Sequence, residues 1–427
     1  MSAPEDTTDP PQRIHPRAAF QHRDFTFFQA AKFLFTIGGQ MQFVAVSWQV
    51  YDFTKKPMDL GFIGLVLFMP AFLFSLATGH AADRFDRRKV MIVCFSALAL
   101  SSLTLLFLTN RGLSNLWPIY FLLFFIGTAH AFVGPASQAL MPQLVPQHHF
   151  HNAVTWNSSM WQLARIAGPS LGGVILHYGH GPASVYAADA ILTGLGLLLL
   201  LAIKTRTGRM ETAAATWETL IAGLKYVRRN PVLFGAISLD LFAVLFGGVE
   251  ALLPIFAKEV LQVGERGFGA LRAAPALGAA FMAITLTHLP PFRKAGATMF
   301  WCVAGFGLFT IVFALSKNFF LSLACLVLLG AFDMVSVVVR HTLVQLKTPP
   351  AMRGRVSAVN LVFIGASNEL GQFESGLTAK WFGTVPAAVV GGICTLVVVG
   401  VCAWAFPPLR KFGRLDTAHH EDSDEAP

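Results

Sequence analysis

Ten charged residues interrupt long apolar runs of the sequence. The acids are Asp189, Asp240, Glu250, Asp333, Glu369 and Glu374, and the bases are Lys32, Arg165, Arg272 and Arg340. A charge at the centre of a membrane helix costs at least ~2.5–3.5 kcal/mol, so such a group faces an interior, finds a partner or titrates. Asp240, about eight residues into its run, is the first candidate for a carboxyl that exchanges protons; the other reading is a permanently paired structural acid. Glu369, near the middle of its run, is the second. Glu374, Glu250 and Asp333 are expected nearer the run ends, in reach of solvent. Arg165 and Arg340 keep their charge and either hold an anionic ligand or clamp an acid. Lys32 can extend its stem toward water. Gln40, Phe43 and His130, with Arg340, are candidates for the wall of a cavity of mixed polarity. Trp48, Phe124 and Phe242 are further aromatic candidates, each with plain packing as its alternative.

Other chemistries lack their residues. His148, His149 and His151 have no Cys or close carboxylate to complete a metal site and read as a polar turn. No HExxH, GxSxG or GxxxxGK[ST] occurs, so no metal, enzymatic nucleophile or nucleotide cofactor is expected. The five cysteines lie in apolar runs without a CxxC pair and read as small buried hydrophobes.

The elements that must position these groups follow from composition. Of 427 residues, 54% are hydrophobic and 13% charged, against about 25% charged in a soluble domain. The excess apolar surface calls for lipid. Charge-free runs cover 60–82, 90–110, 113–145, 273–291, 295–315 and 385–408. Runs with isolated charges cover 25–51, 153–178, 183–203, 232–257, 319–346 and 356–379. Helices are required, because lipid leaves no partner for free backbone groups; the ~10-residue alternation of a barrel strand is absent. The sequence therefore predicts an all-α membrane protein with twelve transmembrane helices. Lys and Arg number 21 on the side of the termini and seven on the other, which places both termini in the cytoplasm. The net charge of +9 fits loops facing anionic lipid rather than nucleic acid. Residues 1–16 lack the apolar core of a secretory leader, so none is expected. Trp217, Leu220, Ile221, Leu224 and Val227 fall at helical spacing before Lys225, Arg228 and Arg229; this is either an amphipathic helix on the membrane face or a plain linker.

A shift of 203 residues places Gly127 on Gly330, Leu140 on Leu343, Pro146 on Pro349, Asn157 on Asn360, Gly168 on Gly371 and Gly173 on Gly376. One offset through these positions predicts two six-helix halves of like orientation. The expected division is a disordered tail at 1–20, halves at 21–203 and 232–408 joined by a cytoplasmic linker at 204–231, and a second disordered tail at 409–427.

Three motifs carry a family resemblance. Gly79-His-Ala-Ala-Asp83-Arg84-Phe-Asp86-Arg87-Arg88-Lys89 sets an acid among several cations after the second run. It resembles the GxxxDRxGRR loop of the major facilitator superfamily, with Asp86 at the second glycine, as in the branch of enterobactin exporters and macrolide efflux proteins. Arg165-Ile-Ala-Gly168-Pro169-Ser-Leu-Gly172-Gly173 is similar to the GPxxGG core of the superfamily's antiporter motif, with packing alone as the other reading. Arg353, Arg355, Asn360 and the stretch 365–376 resemble the eleventh span of the same branch. The resemblance covers roughly 25–406. It implies a gate in which Asp83 neighbours Arg353 or Arg355, alternating access, and proton-coupled export of an amphipathic small molecule. Siderophore-like compounds or hydrophobic drugs are the implied cargo, from a monomer in a bacterial inner membrane. A lysophospholipid transporter, a membrane-embedded enzyme and a non-transporting scaffold are the alternatives.

Overall fold

The computed structural model describes residues 17–74, 85–205, 217–290 and 292–413. Among them the chain forms helices joined by short turns, with no strand. The helices are α1 (Arg23–Thr54), α2 (Pro57–Leu73), α3 (Arg87–Arg111), α4 (Trp117–Leu140), α5 (Phe150–Tyr178) and α6 (Pro182–Leu201). They continue with α7 (Trp217–Arg229), α8 (Pro231–Gly247), α9 (Gly264–His288) and α10 (Ala295–Leu315). The last three are α11 (Phe319–Leu346), α12 (Pro350–Phe382) and α13 (Thr384–Ala405). Local chemistry sets the ends. Asp86 caps α3 by accepting from the Arg88 and Lys89 amides, and Asn230 and Asn318 cap α8 and α11 in the same way. Prolines open α2, α6, α8 and α12, where a missing amide costs nothing.

Eight segments among the described residues are long and apolar enough to cross a membrane. At 17 described residues α2 is shorter, and α1, α5 and α12 carry charges and amides that lower their hydropathy. Large apolar side chains cover the outside of the bundle, Leu103, Phe121, Leu198 and Val397 among them. Trp117 and Trp381 are exposed at one end of it and Trp301 and Trp404 at the other, the placement of indoles at membrane interfaces.

Packing repeats along the chain. In the first group α1 packs on α5 and α6, α3 on α4 and α6, and α2 on α4. In the second, α8 packs on α12 and α13, α10 on α11 and α13, and α9 on α11. The two groups meet where α5 crosses α9 and α2 crosses α12. Both crossings bring glycine onto glycine. A side-chain carbon at Gly173 would stand 2.8 Å from Gly269 Cα, and one at Gly376 would stand 3.0 Å from Gly61 Cα. Any larger residue would force the backbones apart.

One run departs from expectation. The stretch 232–257 is not one helix: α8 ends at Gly247, a 3-10 turn spans Glu250–Leu252, and a π-turn spans Phe256–Val260. Consecutive glycines at 247 and 248 and Pro254 weaken helical continuity there. Ser375 donates to the freed Gly248 carbonyl at 2.6 Å. Helix α7 docks on α12 beside Val227, which is 1% exposed, and the Tyr226 hydroxyl donates to the Lys347 carbonyl at the end of α11 at 2.8 Å. Ile221 and Leu224 are exposed, while Gly223 lies against the Arg355 backbone of α12.

Candidate functional site

A cavity of about 150 Å³ lies within the second group, between α8, α9, α10, α11 and α12, and one residue of α5 reaches it from the first group. Arg165 reaches it from α5, Asp240 from α8, Glu250 from the turn after α8, and Asp333 and Arg340 from α11. Ser367, Asn368 and Gln372 of α12 add neutral hydrogen-bonding groups, while Val244, Phe306, Leu329 and Ile364 add apolar wall. Low-polarity surroundings strengthen each charge interaction relative to water.

The charges are partly matched. Arg340 forms a buried ion pair with Asp240. Arg272 pairs with Glu250 at 3.0 Å, and its guanidinium lies 4.4 Å from the centre of the Phe43 ring across the group boundary. Arg165 stacks over Trp161 at 4.9 Å. Asp333 has no ion pair among the described residues. Asp333, expected nearer a run end, falls in mid-helix on the cavity side. Glu250 also lines the cavity, and its side chain is 42% exposed, in keeping with the solvent contact expected of it.

Other sequence candidates land elsewhere. Glu369 accepts from the Gln372 amide at 3.1 Å and lies against Gly64 of α2. Glu374 accepts from Thr378 at 2.6 Å. Asp189 belongs to a separate buried network, accepting from Ser102 at 2.5 Å and Thr193 at 3.2 Å. Gln40 packs its Cβ against Gly168, and His130 packs against the Phe35 ring. Neither is on the wall of this cavity. Lys32 donates to Asn157 at 2.8 Å.

Pro169 and the glycines of the antiporter-like stretch lie in a packing seam. Gly168 and Gly172 lie against α1, and Pro169 and Gly173 against Gly269 of α9, which leaves Arg165 as the member that reaches the cavity. Of the gate motif, Gly79, Asp83 and Arg84 lie outside the described residues. Asp86 caps α3, Arg87 is buried, and Arg88 donates to the Leu200 and Leu201 carbonyls at the end of α6. Arg353 donates to the Thr348 carbonyl at 3.1 Å, and Arg355 meets the Met352 sulfur at 3.4 Å.

At the end marked by the α1–α2 connection, polar links join the groups. Tyr51 donates to Glu259, Lys258 pairs with Asp52, and His177 meets Glu265 at 3.3 Å. Trp48 stacks on Phe268 at 5.7 Å beneath Lys258. These partners lie about 90–220 residues apart, and no local spacing marks them.

Residues 14–426 match the model of the transmembrane secretion effector family of the major facilitator superfamily. The chain belongs to this family. As a major facilitator protein it is a multi-pass membrane transporter and not an enzyme. It is 25% identical over 391 residues to the enterobactin exporter EntS of Shigella boydii serotype 18, covering 92% of this chain and 94% of that protein. The enterobactin exporter EntS of Escherichia coli O1:K1 matches with the same identity and coverage. Among solved structures, a POT family transporter in complex with a thioalcohol-conjugated peptide superposes with a TM-score of 0.70 at 13% identity, covering 91% of this chain and 97% of that one. A bacterial homologue of the iron transporter ferroportin in an inward-facing state gives 0.67 at 15% identity, with 91% and 99% covered. At such identities the likeness of this transporter to them is one of fold.

Proposed function

We propose that this transporter is a secondary active exporter that moves an amphipathic small molecule out of a bacterial cytoplasm while protons move in. The observation that carries the reading is the charged cavity of the second helix group, which Arg165 reaches from the first. Twelve helices cross the inner membrane in two six-helix halves, 21–203 and 232–408, with the linker 204–231 and both termini in the cytoplasm. The recurring helix pairings and the mirrored glycine crossings support that division. The cavity is smaller than the ~300–1,000 Å³ that suits a drug-sized ligand. Cargo entry therefore needs the halves to part, as rocking of one bundle against the other provides. Arg165 and Arg340 suit an anionic cargo group. Asp240 and Glu369 are the sequence's coupling candidates, and the loop holding Asp83, with Arg353 and Arg355, is the cytoplasmic gate. The protein acts as a monomer without a cofactor. A siderophore-like cargo is favoured by the relatives named enterobactin exporters.

The test is export from a strain lacking efflux pumps, with enterobactin, a macrolide or a lysophospholipid loaded and an uncoupler added in parallel. Uncoupler-sensitive export of enterobactin or the macrolide is expected. Export of the lysophospholipid alone would move the cargo to that class, and export untouched by the uncoupler would remove proton coupling.

A further inference from the structure

We propose that Lys32 and Trp161, with Asn157 orienting the ammonium, form an entry subsite for an anionic aromatic group of the cargo. It lies between the cavity and the end of the bundle where α1 and α5 begin. The inference rests on the export reading above and names the cargo chemistry that the first helix group admits.

Charge balance singles out Lys32. Around the cavity, Arg165, Arg272 and Arg340 stand against Asp240, Glu250 and Asp333, so that site is balanced as it is. Lys32 stands outside this balance. It is a partly buried cation of α1 with no carboxylate partner among the described residues. Its ammonium donates to the Asn157 side-chain oxygen at 2.8 Å and lies 5.9 Å from the centre of the Phe28 ring. The acids of the neighbouring stretches are engaged elsewhere. Asp24, two turns earlier on α1, accepts from the Lys204 and Thr205 amides, and Asp189 of α6 accepts from Ser102 and Thr193. An ammonium has three N–H donors, and one neutral amide oxygen leaves its charge without a counter-ion inside the bundle.

Helix α5 supplies the aromatic surface. Asn157, Trp161 and Arg165 follow one another at steps of four residues, about 6 Å apart along the axis, and share one side of the helix. Arg165 reaches the cavity, and its guanidinium lies 4.9 Å from the centre of the Trp161 ring. Although one side of the ring carries that guanidinium, Trp161 is 47% exposed. Ser158, on the same side of α5, is exposed too. Beyond Arg165 the helix closes on α9 through Gly173 and Gly269. The exposed indole therefore lies on the other side of Arg165, toward the starts of α1 and α5.

An indole one helical turn from an uncompensated ammonium matches a flat ring that bears a negative group. The ring stacks on Trp161, and the anion takes the remaining Lys32 donors in a charge-assisted pair. A neutral ring leaves Lys32 without a counter-ion, and a cationic one is repelled by Lys32 and Arg165. In an exporter that loads from the cytoplasm, this subsite meets the cargo before the cavity does, and Arg165 links the two.

The test is equilibrium dialysis of 1-naphthoate against the full-length protein in nanodiscs of neutral lipid. 1-Naphthamide is the neutral comparison and cyclohexanecarboxylate the non-aromatic one. Naphthoate is expected to bind about tenfold more tightly than either, a difference of about 1.4 kcal/mol. Lys32→Gln is expected to remove the preference over naphthamide, and Trp161→Leu the preference over cyclohexanecarboxylate. Naphthoate bound no more tightly than naphthamide by the parent, or held as tightly by Lys32→Gln as by the parent, overturns the subsite; so does an unchanged preference in Trp161→Leu. Should Lys32→Gln fail to fold, the three probes on the parent and on Trp161→Leu decide. Binding is read without transport. Absence of uncoupler-sensitive export would therefore remove the functional reading, while the dialysis result would stand on its own.

Discussion

Arg340 and Asp240 are 2% and 5% exposed and bound to each other. Removing one member of a buried pair leaves the other charge uncompensated and costs about 3–5 kcal/mol, whereas replacing both by apolar residues is often neutral. Arg340→Met and Asp240→Leu are each expected to lower the melting temperature in detergent, and the double variant is expected to recover most of the loss. A double variant as unstable as either single would show that the pair is not what binds α8 to α11. A second residue-scale case lies outside the membrane span. His149 accepts or donates a hydrogen bond with His22 at 3.0 Å and meets the His148 ring edge to face. The surrounding protein, then the charges of His148 and His22, hold its pKa below the usual histidine value. The folded state thus favours neutral His149. Its contribution is present above a pH of about 6.5 and is lost as the pH falls through the depressed value. Amide exchange at the starts of α1 and α5 is expected to quicken on acidification and to lose that dependence in His149→Gln. Exchange that quickens equally in the variant would assign the effect to another group.

At the scale of elements, sequence pattern located the apolar helices because lipid demands charge-free length, and α4, α10 and α13 follow their runs closely. The break after α8 was harder to read. Gly247, Gly248 and Pro254 were visible, but glycine and proline are common in unbroken membrane helices, and only the contacts of Ser375 and Arg272 show the backbone unwound. The 203-residue offset was legible, and its three-dimensional meaning is the mirrored packing. Gly127 sits under the Leu67 carbonyl, and its partner Gly330 sits under that of Pro275. Gly61→Leu is expected to separate α2 from α12. Cysteines placed at Phe62 and Phe373, whose rings stand 5.5 Å apart, should cross-link well in the parent and poorly in the variant. Equal cross-linking in both would show that the crossing tolerates bulk.

Across the whole molecule, the groups are tied at the end where Tyr51, Asp52 and Trp48 meet Glu259, Lys258 and Phe268. Asp52 is more than half exposed, so its pair alone is worth little; tyrosine, ion pair and stacked rings act together. Tyr51→Phe with Asp52→Asn is expected to raise thiol-reagent labelling of a cysteine placed at Gln49, and unchanged labelling would show that the glycine crossings hold this end closed unaided. The amino-acid sequence by itself determined the solvent, the helical architecture and the list of costly charges. Those depend on composition and on spacing along one helix, which a linear pattern records. The tertiary structure alone decided which charges meet. Asp333 moved from an expected run end to the cavity wall, Glu369 turned toward α2, and Arg340 found Asp240 a hundred residues away. Partnership across a bundle depends on helix rotation and on crossing geometry, and no single helix carries that information in its own order of residues.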